Sequence, residues 1–426
     1  MHDPKAHRTA TLGDIARFVM GQSPPSEFIC NELDNGLPFL QGNADFGSAH
    51  PRAKQSCRKP LKVCEPGDVL ISVRAPVGAI NVADRNYCIG RGLAAVRFMT
   101  ANPAFGTHAL RFVASDLRRV AQGTTFEAVG RRELSALQIW VPLLQEQRQI
   151  ATILDTVDDA IHRTEQVIAK LKQVKQGLLH DLLTRGMDDN GELRDPEHHP
   201  EQFKNSPLGR IPKDWDVAPF AAFASPTRPY LKTGPFGSSL KQEHWVSEGV
   251  PVVTIGSLGE GEFIRSELLH VSERTARALS AYALIPGDIV FSRVADVGRS
   301  VVVTENEYGW IMSSNMMWIA LDKGRIVPAY VQANIAANLS VRQQIVRLVN
   351  ASGRDIANAT IINQLQLPWA PREEQARIAR VLDEADKRSR AEQNALAKLR
   401  VLKNGFMEDL LTGRVRVTKL LEMAAE

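Results

Sequence analysis

An internal repeat constrains the fold of this chain more than any other feature. Residues 146–184 align without a gap on residues 374–412, an offset of 228, and 16 of the 39 aligned positions are identical. Both copies close with the same four residues, Asp-Leu-Leu-Thr, at 181–184 and 409–412. Self-similarity at a fixed offset is the signature of a repeated architecture. The chain therefore consists of two related halves.

The repeat continues upstream of these segments with looser spacing. A Pro-Gly-Asp turn followed by apolar residues occurs at 66–70 and again at 286–290. Each predicts a turn that enters a buried β-strand. Further on, Arg74 before a Val-Gly pair matches Arg293 before a second Val-Gly pair. We take these two arginines as equivalent.

A helical pattern follows in each half. It opens at Pro103 in the first half and at Pro328 in the second. Proline is well suited to the first turn of a helix, and glycine is common just past the end. We therefore expect one helix in each half, ending near Gly123 and Gly353.

The strongly repeated segments have the periodicity of a coiled coil. A 3,4 spacing counted from Ile150 finds eight apolar residues in ten positions, and the equivalent positions of the second copy hold seven. Apolar residues sustained over more than four heptads predict a helix-helix seam. Pro142 and Pro371 precede the two segments, and Gly186 and Gly413 follow them. The large apolar seam residues are Ile150, Leu154, Val157, Ile161, Ile168, Leu171, Leu178 and Leu182 in the first copy, and Ile378, Leu382, Leu396, Leu399, Phe406 and Leu410 in the second.

Each helix of about 40 residues would be roughly 60 Å long at a rise of ~1.5 Å per residue. Its apolar stripe must be covered, and the sister copy is the nearest candidate. The heptads alone leave a parallel and an antiparallel pair open. Identity outside the seam, at Glu146, Gln147 and Asp181, suggests a duplicated docking surface for two identical partners.

Composition sets the broad class of protein. The 426 residues are 44% hydrophobic and 23% charged, which is ordinary globular usage. The net charge is only +4, but residues 1–140 carry 17 basic against 12 acidic residues, and 13 of those 17 are arginine. This bias permits a nucleic-acid partner without requiring one.

The cysteines and the chain start bear on location. Cys30, Cys57, Cys64 and Cys88 lack the spacing of a zinc or redox motif, so we expect buried, reduced thiols and no metal. No stretch approaches the ~20 apolar residues of a membrane span, and the first residues lack the apolar segment expected of a signal peptide. We expect a cytoplasmic protein.

The usual catalytic motifs are missing from the sequence. A Gly-x-x-x-x-Gly-Lys-Ser/Thr phosphate loop does not occur, and the single Pro-Pro pair, at 24–25, lacks the Asn/Asp and the aromatic residue of an amino-methyltransferase motif. Residues 256–261 form a glycine-rich turn, and His198-His199 lie in an acidic linker. We therefore predict no catalytic, cofactor-binding or metal-binding residue in this chain.

Several motifs together resemble those of a known family, the specificity (S) subunits of Type I restriction-modification systems. The resemblance spans nearly the full length of the chain. The motifs lie at 12–15 leading into 21–25, 67–78, 88–92, the two Glu-Gln-x-x-Ile-Ala helix starts, 178–186, 208–215 and 233–240.

The resemblance implies an α+β fold with two α/β target-recognition domains separated by two long antiparallel coiled-coil helices in a pseudo-twofold repeat. On this basis the domains are a first recognition domain at 1–141, helix 1 at 142–186, a linker at 187–211, a second recognition domain at 212–369, helix 2 at 370–414 and a tail at 415–426.

The resemblance also implies a function. Each recognition domain would read one half of a bipartite double-stranded DNA target, while the helices set the spacer and dock two methyltransferase (M) subunits. Restriction (R) subunits would complete the complex. S-adenosylmethionine, ATP and Mg²⁺ would be used by partner subunits, and this chain would have no catalysis of its own. A coiled-coil scaffold and a self-sufficient DNA-modifying enzyme remain the alternatives.

Base and phosphate contacts are expected from polar and basic residues on loops. The candidates are Gln22, Ser23, Gln41, Asn43, Arg74, Arg91, Thr124 and Thr125 in the first half, and Ser238, Ser239, Lys241, Ser257, Arg293, Asn315 and Arg354 in the second. Arg74 and Arg293, being shared, are poor candidates for reading different bases.

Overall fold

The computed structural model describes residues 8–33, 36–48, 50–122, 128–236, 239–353 and 355–417. The chain divides into two units. Unit 1 combines the chain up to Gln166 with the chain from Gln393 onward, and unit 2 is Val167–Glu392. Each unit therefore contains one globular part and one half of each long helix.

Unit 1 is a mixed helix and sheet structure. In its described part, one sheet has the order β2-β10-β7-β8, a second has the order β3-β5-β4-β9-β6, and β1 pairs with β11. Its elements are β1 (Arg8–Thr11), α1 (Leu12–Ile15), β2 (Ala16–Met20), β3 (Ile29–Cys30), β4 (Leu37–Leu40), β5 (Gln55–Cys57), β6 (Val63–Cys64), β7 (Val69–Ser72), β8 (Ile80–Val82), β9 (Tyr87–Ile89), β10 (Leu93–Phe98), α2 (Pro103–Gln122), α3 (Arg131–Ser135), β11 (Gln138–Val141) and the first part of α4 (Leu144–Thr184).

Unit 2 repeats this plan. Its sheets have the orders β15-β22-β19-β20 and β16-β18-β17-β21, with the pairs β14-β23 and β12-β13. Its elements are β12 (Phe203–Ser206), β13 (Gly209–Pro212), β14 (Asp216–Pro219), β15 (Leu231–Thr233), β16 (Trp245–Val246), β17 (Val250–Val253), β18 (Leu269–Val271), α5 (Glu273–Ala278), β19 (Ile289–Ser292), β20 (Ser300–Val302), β21 (Ile311–Met312), β22 (Met316–Ile319), α6 (Pro328–Ala337), α7 (Leu339–Ala351), α8 (Ala359–Gln364), β23 (Gln366–Trp369) and the first part of α9 (Arg372–Leu411).

The correspondence extends to strand register. Strands β4 and β9 run parallel in unit 1, with Leu40 opposite Ile89, and β17 and β21 run parallel in unit 2, with Val253 opposite Met312. The predicted turns before β7 and β19 contain Gly67 and Gly287 at positive φ, which suits glycine.

One predicted helix differs between the halves. In unit 1 the helix that starts at Pro103 continues to Gln122. In unit 2 it breaks at Asn338 into α6 and α7, so the expectation of a single helix up to Gly353 is wrong there. The Asn338 side chain accepts from the N–H groups of Ser340 and Val341 and donates to Leu183 O of α4. It acts as the N-cap of α7 and ties the break to the long helix.

The long helices begin and end at the predicted signals. Helix α4 ends before Gly186 and α9 before Gly413, and both glycines have positive φ, as a left-handed helix cap requires. A Cβ on Gly186 would lie 2.2 Å from Glu374 Oε1, so no larger residue fits.

Within each unit the two long helices run antiparallel. In unit 1, Glu165 of α4 pairs with Arg400 of α9, and the earlier Asp158 pairs with the later Lys403. In unit 2, Lys175 near the end of α4 pairs with Asp386 in the first half of α9. These pairs confirm the antiparallel arrangement that the family resemblance implied.

The ends of the long helices lie in the globular cores. Ile150, Leu154 and Leu410 pack in the core of unit 1, with buried residues such as Leu12 and Phe105. Leu182, Ile378 and Leu382 pack in the core of unit 2 with Trp215 and Tyr330. The remaining seam residues are at least partly buried: Val157, Ile161, Ile168, Leu171, Leu178, Leu396, Leu399 and Phe406.

Candidate nucleic-acid interface

Three loops of unit 1 meet at one end of its two main sheets, at residues 21–23, 41–43 and 90–92. We call them cradle 1. The N–H of Gly21 donates to Leu93 O at 2.9 Å, and the N–H of Gly90 donates to Leu40 O at 2.8 Å. A Cβ on Gly21 would lie 2.1 Å from Gly90 O, so the loops approach too closely for a side chain. Backbone contacts therefore hold the loops together.

Predicted site residues lie on all three loops of cradle 1. The Ser23 hydroxyl lies 3.3 Å from Gln41 Oε1 and 3.2 Å from Gln41 Nε2, and it accepts from the Arg91 N–H at 3.2 Å. Gln22, Gln41 and Arg91 are exposed. Asn43, partly buried, begins the short 3-10 turn after Gln41. The structure thus brings together candidates that are up to 69 positions apart in the sequence.

Unit 2 has the same arrangement, which we call cradle 2: residues 234–236, 254–256 and 313–315. The N–H of Gly234 donates to Met316 O at 3.0 Å, and the N–H of Ser313 donates to Val253 O at 2.9 Å. A Cβ on Gly234 would lie 2.0 Å from Ser313 O. Cradle 2 thus uses the backbone contacts of cradle 1 with different side chains.

Ser257 is not available for a nucleic-acid contact, and its selection was wrong. The residue is completely buried, and its hydroxyl accepts from the N–H of Thr254 at 2.9 Å. In cradle 1 the Asp45 carboxylate accepts from the N–H of Gln41 in the same way. Ser257 therefore stabilises the turn below the cradle.

Arg74 and Arg293 are not equivalent, which corrects the alignment of the two halves. The N–H of Val73 donates to Gly92 O, and the N–H of Arg293 donates to Asn315 O. Arg293 therefore occupies the place of the buried Val73, one residue away from that of Arg74. The shift is also present in the sequence, because Arg74 lies three residues before Val77 while Arg293 lies four residues before Val297.

The environments of these two arginines differ accordingly. Arg74 is exposed beside cradle 1. The guanidinium of Arg293 donates to Ala357 O and Ser314 O, both at 3.0 Å, and partial burial lowers its pKa. Arg293 thus ties the 313–315 loop of cradle 2 to the chain at Ala357.

The remaining candidates have separate positions. Asn315 is exposed on cradle 2, and Ser239 and Lys241 are exposed after the loop at 234–236. Lys241 Nζ lies 3.8 Å from Glu243. Thr124, Thr125, Ser238 and Arg354 lie outside the described residues.

Sequence reasoning missed two further features. Phe236 of cradle 2 is 64% exposed, with the Arg293 guanidinium 5.7 Å from its ring centre; its signal was the unusual Gly-Pro-Phe-Gly loop. In unit 1 a cleft of about 370 Å³ is bordered by Arg17, Arg97 and Arg131. Arg17 and Arg97 face each other across β2 and β10, a pairing that no local pattern reveals.

The residues chosen for a docking surface turn out to be largely internal. Glu146, Gln147 and their counterparts Glu374 and Gln375 are all buried. The amide of Gln147 accepts from Asn102 N and donates to Pro142 O, and that of Gln375 accepts from Val327 N and donates to Ala370 O. Their identity reflects a duplicated structural role, so the docking interpretation of Glu146 and Gln147 is wrong.

A different set of repeated positions lies on the surface of the long helices, where the lysines, the apolar pair and the glycines are exposed and the two aspartates are half-buried. We call it the shared stripe: Lys170, Val174, Gly177 and Asp181 on α4, and Lys398, Leu402, Gly405 and Asp409 on α9. The spacing of 4, 3 and 4 residues places each set on one helix face. The apolar pair Val174 and Leu402 are both 46% exposed, and no atom of the described residues lies within 4 Å of a Cβ built on either glycine. Asp181 and Asp409 pair with Arg185 and Arg414 inside the chain, but internal packing does not explain the exposed apolar pair or the two glycines.

The cysteines are free thiols. Burial raises the pKa of Cys64 to about 11 and that of Cys88 to about 12, so both are unreactive. Cys57 is also buried. Cys30 is only half-buried because it lies on the edge strand β3, so the expectation that all four cysteines are buried is wrong for Cys30.

Comparison with known proteins decides the family. A model of the Type I restriction modification DNA specificity domain matches residues 4–173 and again residues 235–400. The chain belongs to this family. The specificity subunit of the type I restriction enzyme MjaX from Methanocaldococcus jannaschii is 37% identical over 185 residues, which are 42% of this chain and 43% of that protein. The MjaVIII specificity subunit of the same organism is 20% identical over 428 residues, 98% of this chain and 95% of that protein.

Solved structures of the family share the fold. The S subunit of a Type I restriction-modification system from M. genitalium superposes with a TM-score of 0.61 at 14% identity, covering 96% of this chain and 97% of that one. A chain from a study of the assembly and conformational transition of the type I R-M system gives a TM-score of 0.55 at 16% identity, covering 96% and 99%.

The family match confirms the resemblance, and together with the solved structures it confirms the fold class that the resemblance implied. With it, the main prediction of function, a non-catalytic DNA-specificity subunit of a Type I restriction-modification enzyme, is also confirmed. Over the described ranges, no helix is long and apolar enough to cross a membrane.

Proposed function

We propose that each unit of this specificity subunit reads one half of a bipartite double-stranded DNA target. The duplicated cradle is the observation that carries the proposal. Cradle 1 and cradle 2 share their backbone contacts but carry different side chains, such as the exposed Gln41 against the half-buried Thr254. Since base edges are read by side chains while the scaffold sets their position, such a pair suits two different half-sites. The length of the helices between the units would set the spacer.

We further propose that two M subunits dock on the shared stripe, one on each copy. Glycine in an exposed helix interior costs about 0.5 to 1 kcal/mol relative to alanine. Two such glycines, Gly177 and Gly405, recur beside exposed apolar residues with open space around them. A partner that approaches the helix backbone closely explains both the glycines and the exposed Val174 and Leu402.

In this proposal the chemistry belongs to the partners. The M subunits would use S-adenosylmethionine, and R subunits would add the ATP- and Mg²⁺-dependent steps. Within the described residues, no group of three His, Cys, Asp or Glu side chains is arranged to hold a metal ion. The residues of this chain would bind DNA, fix its register and hold the partners.

Target reading is tested by DNA binding of the full chain with its M subunits. We expect selection of a two-part sequence from a randomised duplex library, with affinity that falls steeply as salt is added, because phosphate contacts release counterions. Binding without sequence preference would refute target reading. Methylation or cleavage by the chain alone would favour the self-sufficient enzyme, and no binding with M subunits present would favour the scaffold.

Docking is tested by stoichiometry. We expect the wild-type chain to bind two M subunits, Val174→Asp and Leu402→Asp to bind one each, and the double variant to bind none, because a buried carboxylate at an interface is costly. Val346→Asp serves as control, since Val346 is 54% exposed on a different helix, α7. Native mass spectrometry counts the subunits. Two subunits on the double variant would refute this docking surface.

A further inference from the structure

We infer that the specificity of each unit resides in exposed side chains that differ between the two cradles, and we assign this role to Gln41 and Arg91 in unit 1 and to Phe236 and Asn315 in unit 2. This inference rests on the proposed DNA-reading function and names the residues that carry it out. It separates reading residues from the residues that only position them.

The structural equivalence of the cradles makes this separation possible. The hydrogen bonds of Gly21 and Gly90 in unit 1 correspond to those of Gly234 and Ser313 in unit 2. Backbone contacts common to both units are unsuited to distinguishing two different half-sites. Discrimination must therefore come from side chains that differ at equivalent backbone positions.

The equivalent positions carry different chemistry. Gln41 corresponds to Thr254, because each directly follows the end of a strand, β4 or β17. The last residue of each strand accepts the backbone hydrogen bond from Gly90 or Ser313 that the two cradles share. Arg91 corresponds to Ser314, which leaves the guanidinium of cradle 1 without a counterpart. At the next position Asn315 replaces Gly92, and on the first loop Phe236 replaces Ser23.

In cradle 1 the side chains suit purine edges. The Gln41 amide is exposed and is positioned by Ser23, which contacts both Oε1 and Nε2. A carboxamide can donate to adenine N7 and accept from adenine N6 at once, and a guanidinium can donate to guanine O6 and N7. The Arg91 side chain is exposed. Its guanidinium has no acidic partner in the part of the chain described, so it is available to contact a guanine. We assign Gln41 to an adenine and Arg91 to a guanine.

In cradle 2 the reading surface is more apolar. The ring of Phe236 is exposed next to the guanidinium of Arg293, whose bonds to Ala357 O and Ser314 O fix that arginine in place. An exposed aromatic ring suits a thymine methyl group, and the exposed Asn315 amide suits adenine. Arg293 is a positioning residue here, as Ser23 is in cradle 1.

Selection from a randomised duplex library tests the inference, using the full chain with its M subunits. We expect Gln41→Ala and Arg91→Ala each to relax one base position of one half-site, with discrimination falling roughly 5- to 150-fold, the effect of one bidentate contact. The other half-site and the spacer should not change. Asn315→Ala should relax only the opposite half-site. Gln138→Ala, an exposed glutamine on β11, is the matched control and should change neither half.

The outcomes of this selection distinguish failure of the residue assignment from failure of target reading. If the wild type selects a bipartite sequence and the cradle variants select the same sequence, the inference is refuted while target reading stands. Uniform weakening across all sequences would also refute it, since that result indicates a phosphate contact. If the wild type selects no bipartite sequence, the proposed function itself fails. The unchanged half-site in each variant shows that the protein is folded.

Discussion

Replacement of Glu374 by alanine should destabilise unit 2 more than any surface change. The carboxylate is 2% exposed and accepts from Arg194 Nη1 at 2.6 Å, from Met187 N at 2.8 Å and from Trp215 Nε1 at 3.0 Å. It joins the start of α9, the chain just after α4 and the core tryptophan. The Arg194 side chain is itself only 10% exposed.

The expected cost follows from these contacts. Removing one partner of a buried ion pair costs about 3 to 5 kcal/mol, and a buried donor left without a partner costs about 1 to 3 kcal/mol. Because the donors share one cavity, these costs overlap, and we expect a loss of about 4 to 6 kcal/mol from the unfolding free energy of unit 2. For a unit of this size the midpoint of thermal unfolding should fall by about 8 to 24 °C.

Glu146→Ala is the matched comparison. Glu146 occupies the equivalent position on α4 and is 1% exposed, and it pairs with Arg416 at 2.6 Å. Arg416 is 31% exposed, so without its partner it can reach water, and the cost should be well below that of Glu374→Ala. Urea and thermal unfolding, followed by tryptophan fluorescence, measure both variants. An equal loss in the two, or a loss below about 1 kcal/mol for Glu374→Ala, would refute the argument from burial.

Two further predictions follow from the structure. Burial lowers the pKa of His108 from the usual 6.5, although Asp155 lies 2.7 Å from Nε2. The unfolded chain therefore binds a proton at pH values where the folded unit 1 does not. The stability contributed by keeping His108 neutral is complete above pH 6.5 and is lost as the pH falls toward the lowered pKa of His108. When the pH is lowered from about 7.5 to about 5.5, the urea midpoint of unfolding should therefore fall further for the wild type than for His108→Gln. An equal fall in the two proteins would contradict this prediction. Gly177→Ala should raise helix stability by about 0.5 to 1 kcal/mol while weakening the binding of one M subunit; calorimetric titration with unchanged affinity would exclude the glycine from the interface.

The sequence by itself determined the features that depend on local pattern. Two long helices were predicted from the repeat at an offset of 228 residues, from the heptads and from the proline and glycine signals. The structure has these helices at Leu144–Thr184 and Arg372–Leu411. Helix periodicity and helix ends depend on residues a few positions apart, which is why they can be read directly. The family motifs supplied the antiparallel direction, on which the heptads were silent.

Two reciprocal ion pairs explain the register of the two long helices, which the heptads did not specify. Lys175 and Lys403 occupy seam positions where apolar residues were expected, and they pair with Asp386 and Asp158. These four residues are counterparts under the repeat, so one register satisfies both pairs. A polar residue in a seam commonly specifies register in this way.

Only the tertiary structure decided the composition of the candidate site. Ser257 is buried, the Arg293 guanidinium is held by Ala357 O and Ser314 O, and Glu146 and Gln147 are internal. Each of these outcomes depends on a hydrogen bond or a packing contact with another part of the chain. The loops of cradle 1 meet because strands distant in sequence are neighbours in two sheets, and that pairing is set by burial of the whole core rather than by any local spacing.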